Sequence, residues 1–232
     1  QFDGTLTDLK QFTGGGGPEV RFAGTFGQLI DLGEELVITS TNTSRAFFLL
    51  KCNADSGTNT WVRWLEPTNQ APTEQIYGLK LAPDTLKNTW AFGAVNGGIN
   101  IYSNTPPPVD TGGGGGDGGD GGTTGDTNEV PKFALQGSFS VTNHPPGLAM
   151  FASVFDKNGA LAWTGPIGPA GGIPVAAGND SLTNVYVAGN AGSGTIFISA
   201  YRMAGTNAVS NVWTKLLTPG GGAEVTAMGT TG

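Results

Sequence analysis

The chain has 232 residues, only 12% of them charged, and a net charge of −7. That length suits one large or two small domains with a real core. The acidic balance and scattered Lys and Arg argue against nucleic acid or an anionic membrane surface as partner, no apolar run is long enough to span a membrane, and the single cysteine excludes an intrachain disulfide framework.

The leader QFDGTLTDLKQF (1–12) alternates weakly and reads either as strands belonging elsewhere or as a frayed terminus. After it the chain falls into short apolar runs separated by Gly and Pro, rich in Val, Ile, Thr, Phe, Tyr and Trp, the pattern of β-strands between turns. Val20-Arg-Phe-Ala-Gly24 is followed by AFFLLKC (46–52), a segment carrying Trp61, and QIYGLKLA (75–82). Trp90-Ala-Phe-Gly93 then opens TWAFGAVNGGINIYSN (89–104), which reads as a hairpin with a Gly/Asn turn and lacks a third and fourth strand. Residues 105–128 hold three prolines and GGGGGDGGDGG, a spacer by composition. Beyond it come Phe133-Ala-Leu-Gln-Gly137, LAMFASVF (148–155), Trp163 and IPVAA (173–177). A last set follows: Val185-Tyr-Val-Ala-Gly189, TIFISAYR (195–202), Trp213 and AEVTAM (223–228).

This recurrence predicts an all-β chain of propeller-like, four-stranded antiparallel units at about 19–83, 131–178 and 183–232, with 88–104 as half a unit. A four-stranded sheet with two apolar faces needs neighbouring sheets on both, which is why such units repeat. The division expected is an N-terminal module over 1–104, a linker over 105–128 and a C-terminal module over 129–232. Two β-sandwich domains are the alternative.

The segments LTNVYVAG (182–189), TIFISAYR and NVW, with MFASVFDKNGALAW (150–163) and FFLLKCNADSGTNTW (47–61), resemble the bacterial secreted β-propeller repeats. The resemblance implies an extracellular or surface scaffold and carries over no catalytic residue. The interrupted unit and the glycine tract depart from that pattern.

Few residues invite chemistry. His144 is the only histidine and has no nucleophile motif with it, so it reads as a loop residue. One Cys and one His are too few for a zinc site, and Cys52, inside FFLLKCNAD, reads as a small buried hydrophobe. The glycine runs lack the P-loop and dinucleotide contexts. Calcium in the Gly/Asp tract is disfavoured because the apolar residue of a β-roll repeat is missing. Asp55 and Asp156 read as turn residues, Asp31, Glu34 and Glu35 as a solvated face, and Asn42-Thr-Ser44 and Asn179-Asp-Ser181 as accidental glycosylation patterns. Trp64, Tyr77, Trp90 and Tyr102 are the candidate aromatics for stacking on a sugar ring, although core packing uses the same residue types.

No catalytic, metal or cofactor site is therefore expected. The sequence favours a structural or assembly protein: a homo-oligomeric or polymeric subunit of a surface filament or virion, placed outside the cell or on its surface. An incomplete unit leaves a bare sheet edge that a strand from another copy would complete. A glycan- or receptor-binding module on a phage or bacterial surface is the alternative.

Overall fold

The computed structural model describes residues 4–12, 17–33, 36–40, 45–68, 76–104, 134–140, 147–192, 194–219 and 223–229. His144, Glu34, Glu35, the Asn42-Thr-Ser44 pattern and the 105–128 tract lie outside these residues. Among those described the chain is all-β. The strands are β1 (Gly4–Phe12), β2 (Glu19–Phe26), β3 (Leu29–Asp31), β4 (Val37–Thr39), β5 (Ala46–Asn53), β6 (Asn59–Pro67), β7 (Ile76–Pro83) and β8 (Thr89–Val95). They continue with β9 (Gly98–Ser103), β10 (Ala134–Ser140), β11 (Ala149–Phe155), β12 (Leu161–Pro166), β13 (Ile173–Asn179), β14 (Val185–Asn190), β15 (Ile196–Met203) and β16 (Val209–Leu217).

Three units of four antiparallel strands emerge, with their phase shifted from the sequence expectation. The first is β1-β2-β5-β6, the second β7-β8-β11-β12 and the third β13-β14-β15-β16. The leader is thus the opening strand of the first unit, paired along β2 from Gly4↔Phe26 to Phe12↔Glu19. The segments IYGLKLA and IPVAA, expected to close units, instead begin the following ones as β7 and β13. AEVTAM, the third expected closing strand, belongs to no strand. A four-strand repeat has no marked starting point in its periodicity, so only the hydrogen-bond partners fix where each unit begins.

The half unit at 88–104 is not a hairpin. β8 pairs with β7 and β11, whereas β9 crosses to the first sheet and pairs with β6 and β10. Strands β9 and β10, with the glycine tract between them, are an insertion between the second and third strands of the second unit. They widen the first sheet to six strands, β1-β2-β5-β6-β9-β10. Two of the sheets consequently contain strands from both sides of 105–128, so the tract does not divide the sheets into an N-terminal and a C-terminal set. The equivalent connection in the first unit holds the small β3–β4 ribbon.

The three sheets stack face to face in sequence order. The first layer between them packs Leu49, Trp61 and Leu65 against Leu79, Leu81, Phe151 and Phe155. The second packs Trp90, Phe92 and Val154 against Val185, Val187, Phe197 and Tyr201. The opening strands lie side by side, β1 against β7 and β7 against β13, as the inner strands of a propeller do. The far face of the first sheet is closed by the β3–β4 ribbon, whose Ile30 and Ile38 cover Phe26, Phe48 and Trp64.

One contact recurs in every unit and explains the glycine inside each second strand. Gly24, Gly93 and Gly189 stand opposite Phe48, Phe151 and Phe197 in the register. A Cβ at these glycines would lie 2.5, 2.7 and 2.8 Å from the phenyl ring, inside normal carbon contact. The missing side chain is the space in which the ring lies flat. Burying such a ring stabilises the sheet by roughly 1.5–3 kcal/mol.

Candidate functional site

At the end of the stack where the first and second strands of each unit are joined, the turns enclose an open cavity of about 450 Å3. Gln11, Glu19, Asp84, Lys87, Asn179 and Asp180 contribute to its wall. Its three carboxylates are held by the chain itself. Asp84 Oδ1 accepts from the backbone N–H of Leu86 and Asn88, both at 2.9 Å, and its Oδ2 from Asn88 Nδ2 at 2.8 Å and Trp90 Nε1 at 3.0 Å. Asp180 repeats the arrangement with Leu182 and Asn184, and its Oδ2 accepts from Tyr186 Oη at 2.9 Å. Burial raises the Asp180 carboxyl, and the hydrogen bonds from Asn184, Tyr186 and Leu182 outweigh it, so it lies below the ordinary value; Tyr186 is raised by donating to that carboxylate. Glu19 accepts from Lys51 at 2.8 Å and Arg21 at 3.3 Å.

The sequence reading missed this Asp turn, although its signal is visible. Asp84-Thr-Leu-Lys-Asn88-Thr-Trp90 and Asp180-Ser-Leu-Thr-Asn184-Val-Tyr186 share their spacing. An Asp that accepts two backbone N–H groups starts the turn, and the aromatic six residues later supplies a further donor, buried at Trp90 and half-buried at Tyr186. Asp156 does act as a turn residue, accepting from the N–H of Asn158 and Ala160 at 2.8 Å. At the matching turn of the first unit the acceptor is Asn53 rather than Asp55, taking the N–H of Asp55 and Ser56 at 2.8 and 3.0 Å. Asp31 likewise caps a turn through Gly33 N at 2.9 Å. Asn179 donates through Nδ2 to Asp180 O at 3.0 Å.

Two of the four candidate stacking aromatics are closed to a ligand. Trp90 is fully buried between the second and third sheets, lying on Phe92 at a 5.9 Å ring separation. Trp64 is 3% exposed and stacks on Tyr102 at 5.2 Å, the Trp64↔Tyr102 pair being set by the β6–β9 register. Tyr102 and Tyr77 are half-buried, Tyr102 on the first sheet and Tyr77 on the second. Cys52 is buried, as its apolar setting predicts. Among the described residues no three His, Cys, Asp or Glu side chains are placed to hold a metal ion, and no helix is long and apolar enough to cross a membrane.

No protein-family model matches the chain, and no curated protein does. The most unequal feature of the architecture is the treatment of equivalent positions. Arg21, Trp90 and Tyr186 each stand three residues before the repeated glycine. Arg21, 1% exposed, reaches the second unit, donating to Thr89 Oγ1 and, at 2.9 Å, to Lys87 O. Trp90 is covered by the third unit. Tyr186 stays within its own unit, donating to Asp180 and facing Trp213 at 6.0 Å.

The tryptophans of the fourth strands show the same gradient. Trp61, Trp163 and Trp213 lie opposite Lys51, Val154 and Ala200, three residues beyond the repeated Phe in each unit. Trp61 is 2% exposed, with the Arg63 guanidinium 5.3 Å above its ring. Trp163 is half-buried and Trp213 is 43% exposed. Arg63 itself is clamped under the second unit, donating through Nε to Gly159 O at 2.6 Å; burial pushes its guanidinium down to about 10, against the opposing charge of Asp156. Among the described residues no further unit covers the third, and β16 carries exposed Val212, Trp213 and Leu216.

Proposed function

We propose that the chain is a non-catalytic structural protein that works by assembly, as a subunit of an extracellular surface filament or of a virion. The observation that carries this reading is β16: nine residues at the edge of the third sheet, six consecutive ones exposed, including a valine, a tryptophan and a leucine. A bare apolar strand edge is avoided in chains that act alone and is a ready template for pairing with another chain. The cavity between the turns supports the same reading from the other side, because its carboxylates already serve the fold. The bare edge lies in the third unit, not after Tyr102, where β9 is paired on both sides by β6 and β10. The resemblance to secreted propeller repeats supports an extracellular setting.

Antibody labelling of the native source material under the electron microscope, beside negative-stain images of the purified chain, tests this. Label on ordered surface fibres or particles is the expected result. Label confined to the cell interior, on dispersed molecules, would overturn it.

A further inference from the structure

We propose that the partner of β16 is β16 of a second copy, the two strands running antiparallel about a two-fold axis near Trp213, so that two third units form one continuous sheet. This rests on the assembly reading above and narrows it to a partner and a surface.

Four observations lead there. The chain already uses this mode of addition once: β6, the counterpart of β16 in the first unit, has its outer edge covered by β9 in antiparallel register from Arg63↔Ser103 to Pro67↔Ile99. With β9 along its edge and the second sheet and the β3–β4 ribbon on its faces, β6 is buried from Trp61 to Pro67, while β16 is exposed from Asn211 to Leu216. Second, a strand edge is self-complementary about a two-fold axis, because each copy presents the same donors and acceptors in opposite directions. Third, charge does not oppose the meeting. In a chain with 18 acidic residues, the run from Val185 to Leu217 has none and carries only Arg202 and Lys215. An axis near Trp213 sets Lys215 opposite Asn211 rather than opposite its own copy, and it brings two exposed indoles together, a favourable cross-strand pair. Fourth, at the opposite end of the stack the β3–β4 ribbon covers Phe26, Phe48 and Trp64 among the described residues. A head-to-tail filament built by stacking sheet on sheet is blocked there, and a closed two-fold pair is not.

The test is the mass of the purified full chain by light scattering across a dilution series, for the wild type and for Val212→Lys, Leu216→Lys and Leu135→Lys. Leu135, 58% exposed on β10, is the control at a different sheet edge. The expected result is twice the 23.6 kDa chain mass for the wild type and Leu135→Lys, and the single-chain mass for both β16 variants. Circular dichroism matching the wild type establishes that each variant is folded, and two independent β16 substitutions guard against the loss of one. A dimer that persists in both folded β16 variants overturns the β16 pairing and leaves the assembly reading standing. A wild type that stays monomeric throughout overturns the pairing, while surface labelling decides the assembly reading separately.

Discussion

Replacing Gly93 by Ala tests whether the glycine–phenylalanine pair is a packing requirement or a coincidence of composition. The new Cβ would lie 2.7 Å from two ring carbons of Phe151 and 3.5 Å from Leu79 Cδ1, while carbon atoms settle at about 3.5–4.0 Å. The ring has little room to yield, because Phe151 is fully buried in the layer between the first two sheets. Overpacking of this kind costs about 1–3 kcal/mol. Phe151→Leu alone costs roughly 1–2 kcal/mol through lost burial and a partial cavity. The two changes should not add: once the ring is gone the Cβ has space, and the double variant should recover about 1 kcal/mol or more relative to the sum. Guanidinium unfolding of the four proteins, with slopes compared as well as midpoints, measures the cycle. Additive losses, or a Gly93→Ala variant as stable as the wild type, would refute the explanation for the second unit; at Gly24 and Gly189 a backbone oxygen, of Thr5 and Ile173, closes on the Cβ position as well as the ring.

The repeat also predicts unequal costs at equivalent tryptophans: Trp61→Ala should destabilise the dilute protein by about 3–5 kcal/mol, while Trp213→Ala, at 43% exposure, should cost under about 1 kcal/mol, and equal values in chemical unfolding would contradict the assignment of covered and uncovered units. Acid should loosen the joint between the first and second units. Burial raises the Glu19 carboxyl, but Lys51 and Arg21 outweigh it and hold it below its ordinary value. Its stabilisation is then present above the unfolded glutamate range of about 4.3 and disappears as the pH falls through the lower folded value. Thermal melts between neutral pH and pH of about 3 should show a shallower acid limb in Glu19→Gln than in the wild type, and parallel limbs would show that the pair carries no pH dependence.

How much of this was legible beforehand depends on whether a feature is local. The strand at Val185–Asn190 and its partner at Ile196–Met203 form the hairpin their alternation predicts, between β13 on one side and β16 on the other. TWAFGAVNGGINIYSN has the same local pattern, yet its two halves enter different sheets, and nothing within sixteen residues records that β11 will arrive at β8 from beyond the glycine tract. The aromatics show the same limit. Trp64 and Trp90 look like Trp213 in sequence, and only the sheet stacked above each decides whether an indole is buried or bare.

The sequence by itself determined the β class, the strand composition, the recurring Gly, Phe and Trp positions and the turn at Asp156, since each depends on alternation and turn chemistry over a few residues. The tertiary structure decided the phase of the repeat, the place of the leader, the destination of β9 and β10, and which unit is left uncovered. Strand pairing is made between backbones far apart in the chain, with the same donors and acceptors at every residue. A periodic sequence can therefore specify that strands pair while leaving which strands pair to the packing of whole sheets.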